Sequence, residues 1–217
     1  MAPESNSRSG MSTIEMAIVT ILLATLLGSI ALAMERAVAT FERSSANGDI
    51  NARAARAIHR ISQEMLGARE ATLAPAPVLP FGSNSLEFEV PQTTAAGTVV
   101  WSPRRQIALQ LGTGELDNGI DDDGDGLVDE RSVVRVDDPG LPGERRVVLV
   151  NGVAELLQGE LPNAVDDNGN GLIDEAGLSF SDENGALVIR LTLERIGPDN
   201  DLMQRTQSVS VVLRNGD

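Results

Sequence analysis

From Met16 to Met34 the chain reads MAIVTILLATLLGSIALAM, 19 consecutive residues without a charge. At a helical rise of ~1.5 Å per residue this run spans about 28 Å, close to the ~30 Å hydrocarbon core of a bilayer. It is apolar on every side, which no surface helix of a small domain can afford. The rest of the 217-residue chain is long enough for one domain of ordinary size. One membrane-compatible segment plus one head is therefore the expected organisation.

Three readings of the segment predict three different mature N-termini. It is a plain uncleaved anchor, or a secretory signal peptide cut after Ala31-Leu32-Ala33, which satisfies the small-x-small rule, or an assembly segment that follows a short leader. Two features weigh against the signal peptide. Its n-region has a single basic residue, Arg8, together with Glu4, and a carboxylate, Glu15, stands at the mouth of the apolar run. The third reading uses both features. A polar leader, MAPESNSRSG, ends in Gly10, and Met11-Ser12-Thr13-Ile14-Glu15 opens the apolar stretch.

Gly10, Met11 and Glu15, followed by the long apolar run, resemble the class III signal of type IV pilins and pseudopilins. The resemblance implies a leader over 1–10 that prepilin peptidase removes after Gly10, with methylation of the new N-terminus at Met11. Residues 11–34 would be the transmembrane and filament-core helix. Glu15 would meet the N-terminal amine of a neighbouring subunit, which accounts for an ionised group that costs on the order of a few kcal/mol in a membrane helix when unpaired. The implied partners are other pilin or pseudopilin subunits, the peptidase and the bacterial inner membrane. The implied route runs from a single-pass membrane protein with a periplasmic head to a periplasmic or surface filament. The leader is less basic than many in the family, and the mid-helix proline of many major pilins is absent.

No proline occurs between Met11 and Ala74, and residues 35–70 are rich in Ala, Arg and Glu, so the helix is expected to continue beyond the membrane. Ile50, Ala54, Ala57, Ile58, Ile61 and Met65 recur at three- and four-residue spacing, one stripe that should face a sheet. Asn47-Gly48 marks a point where the helix would bend or break, and Gly67 and Pro75-Ala76-Pro77 mark its end. His59, the lone histidine, reads as a partly exposed helix residue rather than a ligand.

Over 71–217 the pattern changes to short β-rich runs: Ser85–Val90, Thr98–Trp101, Gln106–Leu111, Ser132–Val136, Arg145–Val150, Val153–Leu157, Ala186–Leu193 and Ser208–Arg214. Asn184-Gly185 is a tight-turn signal between strands. With one Trp, four Phe and no Tyr, the core is expected to be built from aliphatic side chains, which suits strands. The fold class expected is α+β, a long N-terminal helix packed on an antiparallel sheet. The order of features, closing on a VxLRN run, is similar to the minor pseudopilins of type II secretion (the J-type) and to related minor pilins.

Two segments interrupt the β pattern. Gly114 to Glu130 reads GELDNGIDDDGDGLVDE and Gly159 to Glu175 reads GELPNAVDDNGNGLIDE, a gapless repeat at a constant offset of 45 residues. Asp121, Asp123 and Asp125, followed by Gly126, place alternate oxygens around a sharp turn. Hard cations that take six to eight oxygen ligands need this arrangement, and calcium is the usual occupant. Asp129 and Glu130 are candidate closing carboxylates, and the Leu127 carbonyl is a candidate backbone ligand. The equivalents in the second loop are Asp166, Asn168, Asn170, Leu172, Asp174 and Glu175. The motif is not an EF-hand, whose twelfth-position glutamate is replaced here by Ser132 and Gly177. It looks like the shorter DxDxDG calcium loops of secreted bacterial proteins. Plain acidic turns would need only one or two such residues, so two calcium sites are expected, the second weaker because amides replace two carboxylates.

Charge and composition exclude other functions. Thirty-two acidic residues against 17 basic ones give a net charge of −15, the wrong sign for binding phosphates, so no nucleic-acid partner is expected. With one His and no Cys, thiolate sites, disulfides, Cys/His and multi-His constellations are ruled out. The expected function is a non-catalytic minor pilin or pseudopilin with a calcium-stabilised head. The alternatives are a calcium-dependent surface adhesin and a secreted calcium-binding protein released after Ala33.

Overall fold

The computed structural model describes residues 12–76, 82–95 and 97–213. Two compact units divide the chain, Met1–Ser45 and Ala46–Asp217. A single α-helix, α1 (Thr13–Leu66), begins in the first unit and ends in the second.

Within the first unit α1 is apolar and its side chains are exposed, among them Ile18, Leu22, Leu26 and Ile30. Several of its hydroxyl groups are satisfied inside the helix. The hydroxyls of Thr25, Ser29 and Thr40 donate to the carbonyls of Leu22, Leu26 and Arg36 at 2.8–2.9 Å. That internal pairing is what a segment surrounded by hydrocarbon requires. An 18-residue window of the helix has a mean hydropathy of 2.4 and none of it is buried, so α1 is long and apolar enough to cross a membrane. At its start the Ser12 N–H donates to Glu15 Oε2 at 2.8 Å, capping the first turn where the helix dipole favours an anion.

Among its described residues the second unit holds the end of α1, a short 3₁₀ turn (Glu70–Thr72) and nine strands: β1 (Ser85–Phe88), β2 (Pro91–Ala95), β3 (Thr98–Trp101), β4 (Arg105–Leu111), β5 (Arg131–Asp137), β6 (Arg145–Val153), β7 (Leu178–Glu183), β8 (Ala186–Ile196) and β9 (Leu202–Val211). Seven form one antiparallel sheet in the order β1-β4-β5-β6-β8-β7, with β9 on the other edge of β8; β2 and β3 form a separate hairpin. The fold is α+β. Ser83 and Phe180 exchange both backbone hydrogen bonds, so the two ends of the strand order meet.

The expected helix stripe is the core. Ile50, Ala54, Ala57, Ile58, Ile61 and Met65 are all buried, in one cluster with Phe88 of β1, Ile107 of β4, Val133 of β5 and Phe180 of β7. His59 is exposed, as expected. The helix does not break at Asn47-Gly48. Two strand arginines hold that turn instead: Arg205 donates to Asn47 Oδ1 and Arg195 to Asp49 Oδ2, both at 2.9 Å. Such contacts outweigh the roughly 1 kcal/mol helical penalty of one glycine.

One strand expectation needs correction, and two strands, β2 and β7, lie outside the expected runs. Val153–Leu157 is not a strand. β6 runs through to Val153, which pairs with Arg131 and Leu193; Gly152, at φ +67°, turns the chain there, and Leu156 makes only an isolated bridge with Ala176. β2 opens on Pro91, which reads as a breaker but occupies the first position of a strand, where its missing N–H is tolerated. β7 reads LSFSDE, too polar for a buried strand by pattern, yet Ser179 and Ser181 are buried. The acidic loops connect β4 to β5 and β6 to β7.

Candidate metal centre

Both acidic loops are built from backbone N–H groups turned onto their own carboxylates. In the first, Asp121 Oδ1 accepts from Gly124 N–H at 2.6 Å and Oδ2 from Gly126 N–H at 2.9 Å. Asp123 Oδ1 accepts from Asp125 N–H at 3.0 Å and Asp125 Oδ1 from Leu127 N–H at 2.9 Å. Gly126 has φ +93°, and its second-loop counterpart Gly171 has φ +89°, a conformation that side chains resist. The second loop repeats the pattern: Asp166 accepts from Gly169 and Gly171, Asn168 Oδ1 from Asn170 N–H, and Asn170 Oδ1 from Leu172 N–H. Leu127 and Leu172 are buried and anchor the turns to the protein interior.

Asp129 and Asp174 join the two ends of their loops. Each has a positive φ, +51° and +48°. Asp129 Oδ1 and Oδ2 accept from the N–H groups of Asn118 and Gly119 at 3.0 and 2.8 Å. Asp174 does the same for Asn163 and Ala164 at 3.1 and 2.8 Å. These carboxylates clasp the start of each loop to its end.

Two residues outside the expected ligand set complete the arrangement. Glu115 Oε1 accepts from the N–H groups of Asp122 and Asp123 at 3.1 and 2.9 Å, and its Oε2 from Asp129 N–H at 3.3 Å. Glu160 Oε1 likewise accepts from Asn168 N–H at 3.0 Å. The signal that could have found them is the identical Gly-Glu-Leu that opens both copies of the repeat. Glu115, Glu130, Glu160 and Glu175 are only 5%, 6%, 7% and 2% exposed, a state that carboxylates almost never adopt without a partner. One oxygen of Glu130, of Glu160 and of Glu175 is buried with no hydrogen-bond partner.

Carboxylate oxygens of Asp121, Asp123 and Asp125 lie within 4.8 Å of one another, and so do those of Glu115, Asp123 and Glu130. Burial pushes Glu130 up to about 7, and the charges of Asp125, Glu115 and Asp123 push the same way. Two trios of carboxylates that share Asp123, five residues in all, fit a hard divalent cation with oxygen ligands. In the second loop the amide Nδ2 groups of Asn168 and Asn170 donate to Glu175 Oε1, so hydrogen bonds supply part of what positive charge would supply in the first.

Beside the first loop opens a cavity of about 440 Å³, with Asp123, Asp125, Leu127 and Glu130 on one side and Arg53 and Arg195 among its other lining residues. Gly10 and Met11 lie outside the described residues. Glu15 is exposed on the first turn of α1. The chain matches no family model, no curated protein and no solved structure.

Proposed function

We propose that this chain is a minor subunit of a type IV pilin-like filament, pilus or type II secretion pseudopilus, with a calcium-stabilised head outside the cytoplasm and no catalytic role. One observation carries the reading. A single helix is apolar and exposed in its first unit, with Glu15 on its opening turn, and contributes the central core stripe of a β-rich head in its second. A bare anchor needs no carboxylate at its mouth. A cleaved signal peptide needs no helix continuous with a folded head.

In this reading the apolar half of α1 rests in the inner membrane until assembly and then packs against the same segment of neighbouring subunits. Glu15 is released from Ser12 to meet a neighbour's N-terminal amine. Calcium stiffens the β4–β5 and β6–β7 connections, whose crowded carboxylates otherwise repel one another. The deciding experiment is the intact mass and N-terminal sequence of the mature protein from a host with prepilin peptidase. Methylated Met11 is expected. A mature chain that starts at Met34 would overturn the filament reading.

A further inference from the structure

The first acidic loop contains more than a crowded surface. Glu130 is buried, and one of its oxygens has no hydrogen-bond partner. A buried carboxylate oxygen calls for a positive charge or a donor. The nearby guanidinium groups have other partners: Arg53 donates to the Asn151 carbonyl at 3.3 Å, Arg195 to Asp49 at 2.9 Å, and Arg131 to Glu155 at 3.3 Å. The charge that balances Glu130 therefore comes from solvent.

We infer that a single divalent cation of the calcium class sits against the buried pair Glu115 and Glu130, shared with Asp123, and that Asp129 is a clasp of the loop rather than a ligand. This deepens the calcium reading given above and rests on it. The two carboxylate groups, one of Glu115, Asp123 and Glu130 and one of Asp121, Asp123 and Asp125, share Asp123, so an ion held at Asp123 would draw its oxygen ligands from both. Five carboxylates with water approach the six to eight oxygens that calcium takes, whereas magnesium keeps most of its water and an octahedral shell. Asp129 belongs to neither group of converging carboxylates, and its two oxygens accept from the Asn118 and Gly119 N–H groups at the start of the loop. The cavity lined by Asp123, Asp125 and Glu130 provides the way in.

The second loop repeats the observation independently. Glu160 and Glu175 occupy the same places in the repeat, both are buried, and each has an unpartnered oxygen. Glu130 also fixes the ion relative to the sheet. It is the residue before β5, and its carbonyl accepts from Gly112 N–H, one residue beyond β4, at 2.9 Å. An ion on Glu130 thus closes the open end of the β4–β5 pair.

The test uses the full-length chain in detergent micelles, with calcium chloride as the probe and magnesium chloride as the control. Calcium binding is measured by equilibrium dialysis, and melting is followed with and without chelator. For Glu130→Gln the affinity of the first loop should fall at least about tenfold, since losing even a supporting group weakens metal sites by that much. Its melting temperature in chelator should equal or exceed that of the parent, because a buried unpaired charge has gone. Asp129→Asn should keep the parent's calcium stoichiometry and melt lower by the same amount with and without calcium. The inference is overturned if Asp129→Asn loses a calcium ion while Glu130→Gln binds like the parent. It is equally overturned if Glu130→Gln melts well below the parent in chelator, which would mark Glu130 as a structural prop. A parent chain that binds no calcium removes the calcium reading itself.

Discussion

The N–H of Gly112 donates to the carbonyl of Glu130 at 2.9 Å, and 45 residues later the same bond joins Leu157 to Glu175 at 3.0 Å. The repeat is therefore structural as well as sequential, and each loop is closed at its neck by its last glutamate. A methyl group at Gly112 would lie 2.9 Å from the Glu130 carbonyl oxygen and closer still to its carboxylate. Gly112→Ala is expected to cost about 1–3 kcal/mol as an overpacking change. It should also shrink the calcium-induced rise in melting temperature, because Glu130 has to move. Chelator-dependent melts of the parent and the variant check both effects. An unchanged calcium response would separate the neck from the ion site.

The two loops differ at one backbone position in a way that free energy can read. Gly119 has φ +75°, and its counterpart Ala164 is held at φ +61°. The left-handed region costs a non-glycine residue roughly 1–2 kcal/mol, partly offset by the greater freedom glycine has when unfolded. Ala164→Gly should therefore stabilise the chain by up to about 1 kcal/mol. Gly119→Ala, which meets no atom within 4 Å, should destabilise it by a similar amount. Denaturant midpoints in detergent measure both. A destabilising Ala164→Gly would show that the Ala164 methyl has a packing role that outweighs its backbone strain.

The parts of this fold that were legible in the sequence rest on period and repetition. Ile50, Ala54, Ala57, Ile58, Ile61 and Met65 announce a buried helix face because their spacing matches the helical turn. The loops announce themselves because GELxNxxDDxGxGLxDE occurs twice. What sequence missed depends on contacts distant along the chain. Asn47-Gly48 reads as a break, yet Arg195 and Arg205, about 150 residues away, hold that turn helical. Ser179 and Ser181 hide a buried strand, because Ser181 is paired with Glu183 and Arg190. At the site, spacing put Asp129 and Asp174 among the candidate ligands, and it does not show that their oxygens also accept the N–H groups that open each loop. Glu115 stands six residues before the DxDxDG core, too far for a local motif to include it.

Glu64 on α1 ties the helix to the sheet. Its Oε1 accepts from Arg135 of β5 at 2.7 Å, its Oε2 lies 3.5 Å from Arg105 of β4, and Asp137 contacts both arginines. Burial alone would lower the Arg135 pKa, but hydrogen bonding and charge from Glu64, reinforced by Asp137, reverse that and raise it. All four side chains are at most 30% exposed, so the pairing escapes most of the screening that weakens surface ion pairs. Glu64→Gln should cost about 1–3 kcal/mol, the scale of a hydrogen bond to a charged group. A double-mutant cycle with Arg135→Met assigns the loss to this pair. A coupling energy near zero would place the effect in helix propensity instead.

Glu183, at the end of β7, sets a pH dependence remote from the acidic loops. Desolvation pushes its carboxyl up, but hydrogen bonds from Ser181 and Arg190, with the Arg190 charge, outweigh it and hold the pKa below the ordinary 4.5. Ser181 Oγ donates to Glu183 Oε1 at 2.7 Å, and Arg190 Nη2 lies 2.8 Å from the same oxygen. A carboxyl more acidic in the folded state than in the unfolded one contributes stability above the unfolded value, and that contribution is lost as pH falls through the folded value. Glu183→Gln cannot titrate, so the parent's advantage over it should be full near pH ~6 and shrink steadily below about 4.5. The side chain is 30% exposed, so solvent screening limits that advantage to about 1 kcal/mol. Urea unfolding of both chains at pH ~6 and ~3.5 measures it. If the gap between them does not change with pH, the Arg190 partnership contributes packing and no charge-dependent stability.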